Sequence, residues 1–364
     1  MKIHKLLFLI TLLAINTACD DIAKNTTRKT ARKVLVKNIA KKSILKEIRS
    51  EFVEDLADYK QLQKLLLQKG YNKKLVGKLK KLPIGRQLAS EINNSVIDER
   101  TLRNLIDDVN ADPSFLRFLN QEPQHLAAYS KLSQTSNIYR LDHARLRWLN
   151  NLQRQSTKYS NAQKLSNRYA IKDLRIAEHN GVLHYYDGDQ LLATETNRIF
   201  RANTIPNTPN NFLNQNICPN STYIIDDNYL YISDVRGRVI HAEADLILQK
   251  KGRNAALQAI GRDESGIQSG INAPYDDGGH IFAQEVGGPT ELINILPQLK
   301  TQNRGGEWRR MERRVINLLN EGKSVKLKVN PQYSDGDLFA RPTEYRITQI
   351  VDGIPENFVI SNSL

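Results

Sequence analysis

Three short motifs near the C-terminus of the chain decide its fold. They read Asp277-Gly278-Gly279-His280, Asn294-Ile295-Leu296-Pro297-Gln298 and Asn303-Arg304-Gly305-Gly306-Glu307-Trp308-Arg309-Arg310-Met311-Glu312. The paired glycines of the first motif would let the backbone approach a bulky phosphate closely. The third motif runs into a helix that we predict from Glu307 to Asn320, because apolar residues recur there every three or four positions and Gly322 ends the pattern.

The residue types in these motifs fit the cleavage of a phosphodiester bond. A water molecule must lose a proton near neutral pH, and the imidazole of His280 suits that task. Charge on the phosphate and on the leaving oxygen must be stabilised, which a divalent metal does. Asn303 offers Mg²⁺ a neutral oxygen ligand. Each residue alone is more often structural, so the prediction rests on their combination.

Positive charge surrounds the third motif. Arg304, Arg309 and Arg310 lie in and beside the predicted helix, and we predict that they contact the phosphates of a polyanion. A helix N-terminus at Glu307 would also attract an anion. These arginines are equally compatible with a solvated helix face.

The three motifs resemble those of the DNA/RNA non-specific endonucleases with a ββα-metal core, in the form found at the C-termini of bacterial polymorphic toxins. Three further segments are similar to this family, namely Asp234-Val235-Arg236-Gly237-Arg238-Val239, Arg253-Asn254 and Arg341-Pro342. The resemblance covers about residues 220–355. Its motifs are specific in combination and weak singly.

The resemblance implies a role for each of five residues. His280 would be the general base, and Asn303 would be the direct protein ligand of Mg²⁺ or Mn²⁺. Glu312 would position metal-bound water, Asp277 would shape the turn before the histidine, and Asn294 would organise the loop from within. The implied reaction hydrolyses DNA and RNA without base preference and leaves a 5′-phosphate.

The chain departs from the family pattern at one place. The family usually has one residue between the glycine and the tryptophan, whereas this chain has Gly306 and Glu307. Glu307 therefore remains an alternative to Glu312 as the carboxylate that supports the metal. The longer spacing also motivates a second interpretation, in which the protein is a catalytically inactive, lipid-anchored nucleic-acid-binding or surface interaction protein.

The composition favours a polyanionic partner. The 364 residues include 53 Lys and Arg against 39 Asp and Glu, which gives a net charge of +14 and a pI near 9.6. Nucleic acid, an anionic membrane and an acidic polymer would all fit this excess, which does not choose among them. The length is sufficient for two or three domains.

The N-terminus has the pattern of a bacterial export signal. A short basic region precedes an apolar run from Leu6 to Ile15, which is too short to cross a bilayer of ~30 Å. Cys19 follows Ala18 as in a lipoprotein signal, although Asn16 stands where that signal usually has leucine. We predict acylation of Cys19 and a membrane anchor through lipid, with simple secretion as the alternative. Cys218 is predicted to be a small buried residue.

The predicted fold class is α+β. A signal peptide (1–19) and a basic linker (20–42) precede a helical domain (43–160) without an evident catalytic cluster, in which Asp112-Pro113 marks one helix start. The β-rich region (165–364), with a hairpin signal at Asn180-Gly181, contains the ββα-metal nuclease domain and its antiparallel sheet. The biological use stays open between a toxin with a cognate immunity protein and an anchored enzyme that degrades extracellular nucleic acid.

Overall fold

The computed structural model describes residues 40–51, 56–94, 97–135, 143–152, 169–205, 208–268, 275–334 and 341–363. The predicted signal peptide, Cys19 and most of the basic linker lie outside these ranges. Within them, no helix combines the length and apolar character needed to cross a bilayer. The chain divides into two compact units, Met1–Leu126 and Ala127–Leu364.

The first unit is helical in the part that the structure describes. Its helices are α1 (40–51), α2 (Leu56–Gln68), α3 (Lys73–Leu79), α4 (Arg86–Asn94), α5 (Glu99–Ala111) and α6 (Pro113–Gln121). The helix start predicted at Asp112-Pro113 is confirmed, because the Asp112 carboxylate accepts a hydrogen bond from the Ser114 amide and Pro113 occupies the first turn. Asp98 caps α5 in the same way through the Thr101 amide.

The second unit includes two helices that the sequence grouped with the helical domain. Helix α7 spans Leu126–Thr135 and α8 spans His143–Leu152, so the predicted 43–160 domain extends past the boundary at Leu126. The physical reason lies in α8. Arg145 is fully buried and donates to Glu195 and to the Tyr185 hydroxyl of the sheet, and Trp148 packs against Phe200.

A ten-stranded sheet forms the body of the second unit, in the order β1-β2-β3-β4-β5-β6-β7-β10-β11-β12. These strands are β1 (Leu174–His179), β2 (Val182–Asp187), β3 (Gln190–Thr196), β4 (Ile199–Ala202), β5 (Thr222–Ile225), β6 (Tyr229–Ser233), β7 (Val239–Leu246), β10 (Val325–Gln332), β11 (Glu344–Val351) and β12 (Ile354–Ser361). The predicted antiparallel sheet is confirmed except at β4 and β5, which pair in parallel. The hairpin at Asn180-Gly181 is also confirmed, with φ of 52° and 77°.

A small second sheet carries the first two motifs. Strand β8 (Asp276–His280) pairs antiparallel with β9 (Ile295–Leu299), and α9 (Ala255–Gln268) packs against both. The glycines of β8 are needed for this packing, and the close phosphate approach that the sequence suggested stays a prediction. A Cβ on Gly278 would lie 2.1 Å from the Gln258 carbonyl oxygen of α9, and one on Gly279 would lie 2.1 Å from Gln298 Oε1.

The third motif spans the end of one helix and the beginning of the next, with two residues between them. Helix α10 spans Lys300–Arg304 and α11 spans Glu307–Asn320, so the predicted bounds of α11 are confirmed. Its apolar stripe buries Trp308, whose ring centre lies 4.7 Å from that of Tyr345 on β11. Gly322 has a φ of 78°, which only glycine adopts readily, and it follows the last turn.

Candidate active site

His280 ends strand β8 and is almost fully buried, with 8% of its surface exposed. Burial disfavours the charged imidazolium, and the positive charge of Arg253 adds to this effect. Glu285 opposes both, but the pKa of His280 is still lowered to about 4. The imidazole is therefore neutral at physiological pH and able to accept a proton.

Six of the predicted site residues line one cleft of about 470 Å³, namely Asp277, His280, Asn303, Arg304, Arg309 and Glu312. They come from β8, α10 and α11. In the sequence, a long loop and strand β9 lie between β8 and the two helices. Arg310 and Glu307 are exposed and are not among the residues that line the cleft. The structure thus places His280, Asn303 and Glu312 around one space large enough for a phosphodiester group.

A hydrogen bond to Asp277 orients the side-chain amide of Asn303. Its Nδ2 donates a hydrogen bond of 3.1 Å to Asp277 Oδ2. Within the described ranges, no residue donates a hydrogen bond to its Oδ1. This neutral oxygen has the chemistry of a ligand for a hard divalent cation such as Mg²⁺. No group of three or more His, Cys, Asp or Glu in the described part of the chain is arranged to hold a metal.

Asp277 joins Asn303 to its neighbour on α10. Arg304 Nε and Nη2 each donate to one carboxylate oxygen of Asp277, both at 2.8 Å. Burial alone would raise the pKa of Asp277, but the hydrogen bonds from Arg304 and Asn303 outweigh burial and hold it below its usual value. Arg304 was predicted to contact phosphate, whereas in the structure two of its nitrogens bind Asp277.

Glu312 lies in the cleft on the second turn of α11 and is largely buried, with 10% of its side chain exposed. Arg309 Nη1 donates to Glu312 Oε2 at 2.8 Å. Burial raises the pKa of Glu312, and Arg309 opposes this effect only in part. The extra residue of the third motif lies before α11, since Gly306 is the N-cap and Glu307 the first helical residue. The helix therefore presents Glu312, and not Glu307, to the cleft.

Asn294 is fully buried and does not line the cleft. Its Oδ1 accepts from the Phe282 amide and the Tyr231 hydroxyl, each at 3.0 Å. Its Nδ2 donates to the carbonyls of Phe282 and Pro289 at 2.9 and 2.8 Å. All four hydrogen-bonding positions of the amide are used, so this residue fixes the segment that follows His280.

Sequence reasoning missed several residues of the cleft. Arg262 on α9, Gln284 and Glu285 line it beside His280, and none of them stands in a recognisable motif. Arg253 also lines it, within a segment that already resembled the family, and its Nη2 lies 3.7 Å from Glu285 Oε1. The positive charge of Arg253 and Arg262 is the only sequence signal from which this part of the cleft could have been predicted.

Comparison with known proteins gives one family. Residues 219–353 match the family model described as DNA/RNA non-specific endonuclease. The type VII secretion system protein EssD of Staphylococcus aureus strains USA300 and NCTC 8325 is 30% identical over 141 residues, which are 37% of this chain and 22% of that protein. The chain thus covers about a fifth of the length of these relatives.

Two solved structures are similar to parts of the chain. NucA from Streptococcus agalactiae with magnesium ion bound gives a TM-score of 0.30 at 17% identity, over 58% of this chain and 92% of that one. The Sda1 nuclease with bound zinc ion gives 0.22 at 22% identity, over 24% of this chain and 40% of that one. Scores this low carry no argument about the site.

Proposed function

Because residues 219–353 belong to the DNA/RNA non-specific endonuclease family, we propose that this protein is a metal-dependent endonuclease. It hydrolyses phosphodiester bonds of DNA and RNA without base preference and leaves a 5′-phosphate. His280 is its general base and Asn303 its ligand for Mg²⁺ or Mn²⁺. The observation that carries the proposal is the neutral imidazole of His280 in one cleft with the unengaged amide oxygen of Asn303.

The chain's own residues divide the work of the reaction. His280 takes the proton of the attacking water, which its lowered pKa permits over a wide pH range. Asn303 Oδ1 would hold the metal, and Asp277 fixes the other end of the same amide by accepting from Nδ2. The bound cation supplies the neutralisation of charge on the phosphate and the leaving oxygen.

Glu312 and Arg309 also line the cleft. The Glu312 carboxylate would orient water bound to a metal held at Asn303. Its ion pair with Arg309 offsets part of the burial that raises its pKa. Arg309 also presents positive charge to the phosphates, together with Arg253. Arg304 acts through Asp277, since its guanidinium is bound there.

Degradation of plasmid DNA and of RNA with Mg²⁺ tests this proposal. We expect cleavage that EDTA stops and that His280→Ala abolishes. His241→Ala is a matched control, because that histidine lies on β7 outside the cleft and contacts Asn330 and Glu243. Binding of nucleic acid without cleavage by the unaltered protein would favour the inactive binding protein and refute the enzyme.

We further propose that the protein is exported and anchored through an acylated Cys19. The support is the sequence alone, an apolar run followed by Ala18-Cys19. Metabolic labelling with a radioactive fatty acid should mark the wild-type chain and not a Cys19→Ala variant. If the variant were labelled, or if the wild type were not, acylation of Cys19 would be refuted. Simple secretion would then remain as the alternative.

A toxin with a cognate immunity protein is the use that we propose for the nuclease. The support is the similarity to a protein whose name places it in a secretion system, over 37% of this chain. Expression of residues 127–364 inside a bacterial cell should arrest growth, and expression of the His280→Ala form should not. A small acidic protein encoded beside this chain should restore growth. Arrest by both forms would contradict the proposal.

A further inference from the structure

The first unit carries an unusual run of positive charge. Between Asp58 and Glu91 the chain has no Asp or Glu but eight lysines and Arg86. All eight lysines are exposed, namely Lys60, Lys64, Lys69, Lys73, Lys74, Lys78, Lys80 and Lys81. Within the described ranges, none of them forms an ion pair with a carboxylate. We call this set the lysine surface.

Helix α3 is the densest part of the lysine surface, and its local stability does not explain the charges. Positive charge near a helix C-terminus is favourable, which accounts for Lys78 and Lys80. Lys73 and Lys74 lie in the first turn of α3, which contains no acidic residue of its own and where positive charge is unfavourable. The Glu99 carboxylate of α5 accepts a hydrogen bond from the Asn72 amide at this end and offsets part of that cost. Their presence there points to a partner outside the chain.

The surroundings of the lysine surface distinguish between anionic partners. Among the residues up to Leu126 whose side-chain exposure the structure describes, Leu67 is the only large hydrophobic one that is substantially exposed. A helix that inserts into a membrane needs an apolar face beside its positive charge, and the lysine surface lacks one. Charge alone can hold either an anionic lipid surface or a nucleic-acid backbone. Of these two partners, nucleic acid is the one that the proposed function supplies.

We propose that the lysine surface is a second nucleic-acid-binding site, which holds the phosphate backbone without sequence preference and is separate from the cleft at His280. The choice of nucleic acid as partner rests on the proposed function. The binding itself does not depend on cleavage, since no lysine of this set lines the cleft.

Binding of the full chain to a fluorescent DNA duplex in EDTA tests the proposal. The change is Lys73→Gln with Lys74→Gln, which removes two charges that disfavour α3, so the variant retains its fold. Each phosphate contact contributes about 0.9 to the slope of log K against log salt, so the slope should fall by about 2 between roughly 50 and 200 mM salt. The matched control is Arg100→Gln with Arg103→Gln on α5, where Arg103 already pairs with Glu99.

If the lysine variant had the same slope of log K against log salt as the unaltered protein, this inference would be overturned. That conclusion would hold even if the unaltered protein cleaves DNA with Mg²⁺. A parent that binds with the expected slope but never cleaves would overturn the proposed function and leave the inference standing. Vesicles of phosphatidylcholine and phosphatidylserine form the third arm. Loss of vesicle binding with unchanged DNA binding would assign the lysine surface to lipid and refute the proposal.

A separate observation concerns Gln284, which is 3% exposed and lies in the cleft. Its amide nitrogen Nε2 is placed 3.2 Å from His280 Nε2. The other end is buried and has no hydrogen-bond partner in the described part of the chain. The amide oxygen and nitrogen have the same shape, so either can face the imidazole. Only the oxygen can accept the Nε2–H and so leave Nδ1 without a proton.

We infer that Gln284 is a positioning residue that accepts the Nε2–H of His280 and so keeps Nδ1 free to act as the base. This inference rests on the proposed function only for the role of His280 as a base, and the choice of Nδ1 follows from the position of Gln284 at Nε2. The tautomer can be measured without any cleavage, because ¹⁵N chemical shifts of the imidazole distinguish a protonated from a bare ring nitrogen.

Gln284→Leu removes the acceptor and Gln284→Glu keeps one. We expect the Nε2–H tautomer to dominate in the wild type and in Gln284→Glu and to be mixed in Gln284→Leu. The kcat of the leucine variant should fall by about 10- to 100-fold with little change in KM, and the glutamate variant should recover most of it. Wild-type tautomer and kcat in Gln284→Leu would overturn the inference. The ¹⁵N result stands apart from the cleavage assay, so failure of the proposed function would be seen separately.

Discussion

The acid limb of the pH–rate profile gives a sharp test of His280 as the base. Its pKa is lowered to about 4 by burial and by Arg253, against about 6.5 for an unperturbed histidine. A general base works when it is deprotonated, so activity falls as the pH drops through its pKa. At pH 5 about nine-tenths of His280 would be neutral, whereas an unperturbed histidine would be about 3% neutral. The difference in rate at pH 5 is therefore about thirtyfold.

Two substitutions should move the pKa of His280 in opposite directions. Arg253→Ala removes a positive charge that lowers it, so the pKa should rise and the acid limb should move to higher pH. Glu285→Gln removes a negative charge that raises it, so the pKa should fall. A divalent cation in the cleft acts in the same direction as Arg253. Both side chains line the cleft, so the midpoint of the profile, and not the absolute rate, is the quantity to compare.

Two measurements check this prediction. The first is kcat/KM on a short duplex with saturating Mg²⁺ from about pH 4 to 8, where the limb reports the free enzyme. The second is an NMR titration of the His280 Cε1–H signal in EDTA, assigned with the His280→Ala variant. The titration separates His280 from Glu312, whose own pKa is raised by burial. A midpoint near 6.5 in both measurements, or a downward shift in Arg253→Ala, would refute the reasoning.

Three further predictions follow from the same cleft. Asn303→Ala should reduce Mg²⁺-dependent cleavage at least 100-fold and weaken Mn²⁺ binding measured by EPR, because it removes the amide oxygen that we propose as the metal ligand; unchanged Mn²⁺ affinity would contradict the assignment. Glu312→Gln should lower kcat by about 10- to 100-fold while Glu307→Gln leaves it within about twofold, since only Glu312 lines the cleft; equal losses would be inconsistent with the structure. His280 binds protons more weakly in the folded than in the unfolded chain, so stability should fall as the pH drops from about 6.5 to about 4, by about 3 kcal/mol in urea denaturation. His280→Ala should remove that part of the pH dependence, and an unchanged dependence would argue against burial as its cause.

Local sequence patterns were sufficient for the elements with regular periodicity. Helix α11 has the predicted bounds because its apolar stripe and its terminal glycine are both local signals. The hairpin between β1 and β2 follows from Asn180-Gly181, which adopts the positive φ that such turns need. These features depend on residues that are close in the chain, so a single sequence contains the information.

The features that the sequence did not reveal depend on distant contacts. Arg145 has the pattern of a solvated helix residue, but it is buried against Glu195, fifty positions later. The parallel pairing of β4 with β5 joins segments on either side of an Asn- and Pro-rich stretch. Gln284 stands in no motif, and only the fold brings its amide to His280. In each case the partner residue, and not the residue itself, decides the role.

Two consecutive aspartates of β8 show how the site obtains its rigidity. Asp276 is buried and accepts two hydrogen bonds from Arg341, at 2.8 and 3.1 Å, which fixes the strand to the segment before β11. Asp277 is half-buried and orients Asn303 through a single hydrogen bond. Because successive residues of a strand point to opposite faces, one short strand can serve as anchor on one side and as site on the other.

The position of His280 depends on that anchor as well. It is the last residue of the same strand, and Asn294 fixes the segment that follows it with four hydrogen bonds. Both ends of the catalytic segment are thus held by buried polar groups whose loss leaves unpaired donors or charges. A catalytic geometry tolerates only small displacements. The burial of Asp276 and Asn294, neither of which lines the cleft, is therefore as much a condition of the proposed reaction as the chemistry of His280.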